Sequence, residues 1–507
     1  MNHTEINELL DAFEARGYKG DDIAKAFTQS TGLTFYDLQT MVNRIFPLIT
    51  PLIKWIPRAK GNGGPGTNWK SVLTRNNAKI NGLVGEGNRG ALMNSPVTNF
   101  YRAYKTIGVD TNASFEAQSA SEGLGTTAKD MAAILLLDQS RVSEELIILG
   151  GNSGDSGTGV ALTMAGITPT VTPAAGGALP AQANSVVIVP LSFDAWHASN
   201  GTIVTGSALP LPGNRTNADN STDYIYGGVG IKSTAGSGTT SASNLSVAVT
   251  WAAVPGAWGY GIYAGLSGYE TLQAVTALNS VVLSSYVSGT QALATLGGTV
   301  DNSREVLAFD GLLTQIVAAN IAVPGSTIVN TLATGTAGTG TALTSDSNGG
   351  INEFNTIFAQ AWALKRVSFG EIWVSGNLMT KIQKLIGGAG ANNTHIVTMP
   401  ADQQGRITTT AGYVGNVINA SAGGKVIKLM VHPELPDTVA LFTSAQIDKD
   451  YYPSSNVSSL LEVKCRREWY QIEYPQFSRK YESGVYAEEV LAVKDYAQFA
   501  LLTNIGG

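Results

Sequence analysis

The chain has 507 residues, of which 43% are hydrophobic and only 14% charged, with a net charge of −6 and a single cysteine, Cys465. That length predicts several domains, the acidic balance supplies no basic field to gather DNA or anionic lipid, and one cysteine excludes a disulfide-stapled module. No apolar run reaches the roughly 18 residues that span a bilayer, and MNHTEINELL lacks the regions of a signal peptide, so a cytoplasmic chain with no membrane partner is expected.

Three short amphipathic patterns precede Phe46, built on Ile6, Leu9, Leu10 and Phe13, then Ile23, Ala26 and Phe27, then Leu38, Met41, Val42 and Ile45. Helices this short are marginal alone, so the segment reads as an arm that packs on something else. Pro47, Pro51 and Pro57 then predict extended backbone through PLITPLIKWIPR. From Arg58 to Tyr104 the chain is rich in Gly and Asn and carries Arg58, Lys60, Lys70, Arg75, Lys79, Arg89 and Arg102 against one acid, Glu86. Alternation in NWKSVLT and again in AKINGLV predicts a two-stranded hairpin with little to bury. A locally basic ribbon on an acidic protein is the natural complement of another copy's acidic surface.

Thr126 or Thr127 is placed to cap a long helix, with Asp130 in its first turn and Met131, Leu135, Val142, Leu146 and Leu149 at helical spacing. Gly150 and Gly151 predict its stop through a residue free to take positive φ. Glu144 and Glu145 fall on this helix. Adjacent helical residues diverge by about 100°, so they do not converge on one bond as a catalytic pair, and they read as a solvated or intersubunit face.

Between 165 and 300 the sequence changes to Thr, Ser, Ala, Gly and Val in short alternating runs broken by turn residues, which predicts a β-sandwich. In LSVAVTW, Leu245, Val247, Val249 and Trp251 share one face. VTWAAVPGAWGYGIYAG followed by VVLSSY resembles the Trp-bearing and Tyr-bearing strands of fibronectin type III and bacterial Ig-like domains. Such domains stick, present or space.

Helical periodicity returns in REVLAFDGLLTQIVAANI, with Val306, Phe309, Leu313, Ile316 and Val317, and in INEFNTIFAQAWALKR, with Ile351, Phe354, Phe358 and Ala361 or Trp362. EIWVSGNLMTKIQKLI reads as strand then helix, KVIKLMVHP and DTVALFTSAQI as paired strands, and 460–495 as long antiparallel strands with aromatic and Val pairs to hold register.

Motifs for chemistry fail on context. GNGGPG at Gly61 to Gly66 follows no strand and opens no helix, as a dinucleotide site requires. GDSG at Gly154 to Gly157 has no imidazole on a pattern that would accept a serine proton. Four scattered histidines, His3, His197, His395 and His432, with one cysteine make no zinc set, and no EF-hand spacing appears. No catalytic residue, metal site or cofactor is expected, and Cys465 reads as packed or half-exposed in an alternating strand.

The order of parts resembles the major capsid protein of a tailed bacteriophage, of the Hong Kong 97-type fold. The resemblance is carried by the basic loop from Arg58 to Tyr104, YKTIGVDTNASFEAQSASEG leading back from it, the helix ending EELIILGGN, AFDGLLTQI, EIWVSGNLMTKIQ, and the closing strands to VLAVKDYAQFALL. It implies an α+β fold with an all-β Ig-like insertion: an N-terminal arm over 1–57, an extended E-loop over 58–104, and a peripheral domain over 105–164 with a spine helix over 126–149. The sandwich over 165–300 follows, then an axial domain over 301–445 and returning strands over 446–507.

The resemblance also implies homo-oligomeric assembly into hexamers and pentamers of an icosahedral shell around packaged double-stranded DNA, held only non-specifically, in a virion capsid assembled in the host cytoplasm. The partners it implies are a portal, a decoration protein and, since fewer residues precede the loop than in the prototype, a separate scaffolding protein. Lys60, Lys70 and Lys79 stand where the prototype cross-links a loop lysine, but many relatives do not cross-link and no cross-link is expected here. Arg58, Lys60, Lys70, Arg75, Lys79, Arg89, Glu144 and Glu145 are the candidate intersubunit contacts. The insertion is expected as a displayed module whose removal leaves assembly intact. The rival readings are an encapsulin-type compartment shell and an adhesin or carbohydrate-active protein with an Ig-like accessory domain.

Overall fold

The computed structural model describes residues 48–61, 63–71, 84–90, 97–121, 127–154, 162–297, 300–346, 350–388, 415–444, 446–447, 457, 459–476 and 478–507. The helical patterns before Phe46 fall outside them, as do 72–83 and 91–96 of the loop.

Pro51 opens a helix, α1 (Pro51–Trp55), where extended backbone was expected. Its missing N–H falls at the first helical position, which has no intrahelical acceptor to lose. Strands β1 (Arg58–Lys60) and β2 (Gly66–Ser71) follow. β2 pairs with β3 (Thr98–Ala103), in a register that sets Trp69 opposite Phe100, while AKINGLV, the expected hairpin partner, lies outside the described residues but for Val84. This pairing gives the stem an aromatic to bury: Phe100 is fully enclosed, against Trp69 at 5.6 Å and Tyr496 at 5.5 Å. The loop is therefore carried on a stem whose inner face is part of the core. After β4 (Lys105–Ser114), FEAQSAS turns into helix α2 (Phe115–Ser121) rather than continuing the strand.

The long helix, α3 (Ala128–Gly150), starts at Thr127, whose Oγ1 accepts from the Asp130 amide at 3.3 Å and donates to the Asp130 carboxylate at 2.7 Å. Thr127→Ala should cost about 1 kcal/mol and lower the thermal midpoint accordingly. The buried stripe of α3 differs from the expected one. It runs through Leu136, Ser140, Glu144 and Ile148, while Leu135 and Val142 are 46% and 40% exposed. Apolarity alone pointed to the other side of the helix, because this stripe includes two polar residues, Ser140 and Glu144, and Glu144 has its partners inside.

The helix end also differs. Gly151 has φ −54, so positive φ is not what the glycines supply. They supply room: a Cβ on Gly150 would lie 2.2 Å from Cγ of Phe193, and one on Gly151 would lie 2.4 Å from the Phe309 carbonyl oxygen. Gly150→Ala should therefore destabilise the chain by about 1–3 kcal/mol, seen as a lower thermal midpoint.

The next segment holds β5 (Thr170–Ala174), β6 (Ala183–Leu191), α4 (Phe193–Ser199), β7 (Gly213–Thr216), β8 (Thr222–Ile225), β9 (Gly236–Thr239), β10 (Ser246–Thr250), β11 (Gly259–Gly265), β12 (Thr271–Thr276) and β13 (Ser280–Leu283). Seven of these strands form two sheets, β13-β10-β5 and β12-β11-β6-β9. Val247 and Val249 of one meet Val186, Ile188, Tyr260 and Ile262 of the other in a single core, with Trp251 edge-on to Tyr260 at 5.2 Å. The sandwich is not free-standing. Val187 and Val189, on the opposite face of β6, join the main core with Phe193, Trp196 and Trp258.

Helix α5 (Leu312–Ala322) begins six residues later than Val306, which is 49% exposed and lies outside it. Then come β14 (Ile328–Thr331), α6 (Asn352–Lys365), β15 (Glu371–Val374), α7 (Gly376–Gly388), β16 (Asn416–Asn419), β17 (Lys425–Val431), β18 (Ala440–Thr443), β19 (Leu461–Glu473), β20 (Lys480–Val493) and β21 (Ala500–Thr503). A six-stranded sheet runs β14-β21-β18-β15-β17-β16. β17 and β18, expected to pair, each pair with β15 between them. Its one face packs beneath Phe354, Phe358, Leu378 and Ile382 of α6 and α7. Its other face gives Trp373, Leu441 and Leu501 to the main core. In α6 it is Ala361 that is fully buried.

A four-stranded sheet, β1-β19-β20-β4, completes the fold, with α3 lying across β20 and β4. β19 and β20 are the expected long antiparallel pair. Along β20, Val485, Ala487, Glu489 and Leu491 point inward, so one carboxylate sits in an otherwise apolar row.

Candidate assembly surface and its buried anchors

The loop between β1 and β3 is tied down at both feet by arginines. At the first foot, β1 runs parallel to β19, with Arg58 beside Val463 and Lys60 beside Cys465. The Arg58 guanidinium reaches between two buried carboxylates. Nη2 donates to Glu144 Oε1, and Nη1 to Glu489 Oε2 at 3.1 Å and to Cys465 Sγ at 3.5 Å. Trp469 Nε1 donates to the second Glu144 oxygen at 3.1 Å.

One residue along the helix, Glu145 serves other elements. Its carboxylate accepts from the Leu52 and Ile53 amides of α1 at 2.7 and 2.9 Å, and from His432 Nε2 at 2.9 Å. Those amides are orphan donors at a helix N-terminus, where a carboxylate is favoured by both hydrogen bonding and the helix dipole. His432 Nδ1 in turn accepts from the Glu434 amide at 3.1 Å, which leaves the proton on Nε2, aimed at Glu145. Glu144 and Glu145, 0% and 1% exposed, are thus no solvated or intersubunit face. Their 100° divergence sends one to the four-stranded sheet and the other to α1 and the loop after β17.

At the second foot Arg102, 3% exposed, lies 3.8 Å from Asp310 and donates to Tyr496 Oη at 3.4 Å. Ser153 gives Asp310 its amide and hydroxyl protons at 2.7 and 2.8 Å. Gln315 Nε2 donates to the Asp310 and Leu491 carbonyls. Trp69 Nε1 closes the stem onto the Val493 carbonyl at 3.2 Å. Burial pushes the Tyr496 phenol above its ordinary value, so it stays a neutral donor and acceptor.

Of the candidate contacts, Arg58 is consequently spent inside the subunit, and Arg75 and Lys79 lie outside the described residues. Lys60, Lys70 and Arg89 are exposed. The outer face of the stem presents Asn68, Lys70 and Asn99 beside Tyr101, itself 46% exposed. Along α3, Ile134, Leu135 and Val142 form a second exposed row. Cys465 is fully buried, and burial first, then the Glu489 carboxylate, push its thiol up to about 11. Among the described residues no group of His, Cys, Asp or Glu side chains is arranged to hold a metal, and no helix is long and apolar enough to cross a membrane.

Sequence reasoning missed Glu489, His432, Trp469 and the Arg102 cluster. A usable signal was present for Glu489: a carboxylate at an inward position of an alternating strand has to be paired.

No family model and no curated protein matches the chain. Solved structures similar to it include the cyanophage A-1(L) capsid asymmetric unit, at 11% identity and a TM-score of 0.42 over 94% of this chain and 99% of that one. The capsid of an empty GTA particle follows at 10% and 0.40, over 95% and 99%. A Mycobacterium phage Bobi chain is similar at 9% and 0.38, over 96% and 98%. Likeness at these values does not by itself define a shared fold.

Proposed function

We propose that this chain is the major capsid protein of a tailed bacteriophage, a non-enzymatic subunit that assembles through hexamers and pentamers into an icosahedral shell around double-stranded DNA. The observation that carries the reading is the loop stem. Both of its feet are clamped by arginine–carboxylate contacts, Arg58 to Glu144 of the long helix and Glu489 of β20, Arg102 to Asp310 ahead of α5, while the outer face of the stem and Lys60, Lys70 and Arg89 stay exposed. A stem anchored so firmly, with its described outer face left exposed, is built to be completed by another copy. Closed symmetry then removes the unpaired edges, and obligate contacts of this kind often exceed about 2,000 Å². The seven-stranded sandwich is read as an Ig-like insertion, with Tyr269 80% exposed at its β11–β12 turn. A scaffolding protein, portal and decoration protein belong to the same proposal.

Negative-stain microscopy of the expressed chain tests it: shells, tubes or capsomers are expected, and a monodisperse monomer that hydrolyses glycans would sink it. Reversing charge at Lys60, Lys70 and Arg89 together should abolish particles while leaving the subunit's unfolding free energy within about 0.5 kcal/mol of wild type, as for exposed sites. Particles of normal yield from that variant would remove the basic surface from assembly.

A further inference from the structure

The first loop foot holds more negative charge than it can neutralise. Arg58, on β1, brings one positive charge. Facing it are Glu144 from α3, Glu489 from β20, and the thiol of Cys465 from β19; Glu468 lies further along β19, and the Tyr104 hydroxyl packs beside Gly61. Lys105, opposite Glu489 on β4, does not help, because its Nζ donates to the Val306 carbonyl at 2.6 Å.

The two carboxylates are not equivalent. Glu144 has a donor on each oxygen, Arg58 and Trp469. Glu489 is 0% exposed, has Arg58 and the weak thiol donor on Oε2, and has no hydrogen-bond partner on Oε1 among the described residues. A second buried anion with one bare oxygen is costly, and a proton on that oxygen relieves it.

We propose that Glu489 is a proton-operated latch on the loop foot: protonated, it leaves Arg58 to Glu144 and the junction stays closed, and on losing the proton it loosens β1 from β19. The inference needs no assembled shell and stands apart from the capsid reading. Burial raises the Glu489 carboxyl above its ordinary value, with Arg58 opposing. A raised value in the closed form means that the closed form binds the proton more tightly than the open one. Closure is therefore favoured at acid pH and weakens as pH rises from the ordinary glutamate value through the raised one.

The reporters are the two amides that flank the β1–β19 ladder, Gly61 N to the Cys465 carbonyl at 2.7 Å and Val463 N to the Pro57 carbonyl at 3.0 Å. Hydrogen exchange on the full chain, corrected for intrinsic rates, should show their protection falling about tenfold per unit of linked shift as pH rises above the ordinary glutamate value. The β3 amides at the Arg102 foot should not follow. Glu489→Gln should hold Gly61 and Val463 protected across the range. Infrared spectra of the wild type supply a readout that needs no variant: a protonated-carboxyl band that titrates over the same interval. Wild-type protection at Gly61 that ignores pH, a Gln variant that keeps the wild-type slope, or no such band would overturn the proposal.

Discussion

Excising residues 165–300 behind a short linker should abolish soluble subunit altogether, contrary to what a displayed module predicts. The sandwich shares its buried face with the rest of the chain. Phe193 sits over Gly150, so the long helix ends against a side chain that the excision removes. Trp196, Trp258, Leu209 and Val229 belong to the same continuous core as Ile148, Phe309, Leu435 and Val439. Polar ties cross the seam as well: Asn279 N to Asn504 Oδ1 at 3.0 Å, His197 to Glu434 at 2.6 Å, and Gly338 N to Ser280 Oγ at 2.9 Å.

Phe193→Ala alone should cost about 3–5 kcal/mol. A domain holds only about 5–15 kcal/mol in total, so losing the whole set leaves no folded state. Trimming the exposed β7–β8 hairpin should be tolerated within about 0.5 kcal/mol, because it contributes nothing to that core. Soluble yield and thermal melts of the three variants decide the matter. A well-folded excision variant would show that the seam is surface contact rather than core.

Individual elements were legible where they rest on local signals. Thr127 caps, Pro-free apolar periodicity makes α6, and dense alternation makes β19 and β20. Three errors share one cause. Burial in this chain is decided by partners far away in sequence, which periodicity cannot see. α3 buries Ser140 and Glu144 in preference to Leu135. β17 and β18 each take β15 as partner rather than each other. Glu145 is inside because α1, some 90 residues earlier, offers two bare amides, and because His432 arrives from the other side (|i−j| of 92 to 287). The exposed lysines were readable as a basic stretch, but composition could not separate them from Arg58 and Arg102, which the fold consumes.

Arg58→Ala should destabilise the subunit by about 3–5 kcal/mol, the cost of leaving buried carboxylates without their cation. Glu145→Ala should do comparable damage by a different route. It strips the acceptor from two α1 amides and from His432, and each buried donor left bare costs about 1–3 kcal/mol. The two losses are distinguishable by a double-mutant cycle. Arg58→Ala combined with Glu144→Gln should recover part of the loss, because the amide no longer needs a cation, giving a coupling of about 0.5–3 kcal/mol. Arg58→Ala combined with Glu145→Ala should come closer to additive, since Arg58 bonds Glu144, Glu489 and Cys465 while Glu145 bonds α1 and His432, and the two share no hydrogen-bond partner. Denaturant midpoints at constant m supply the numbers. A null coupling between Arg58 and Glu144 would mean that the long helix is held to β1 by apolar packing alone, and the ionic contact at the loop foot would then contribute no stability.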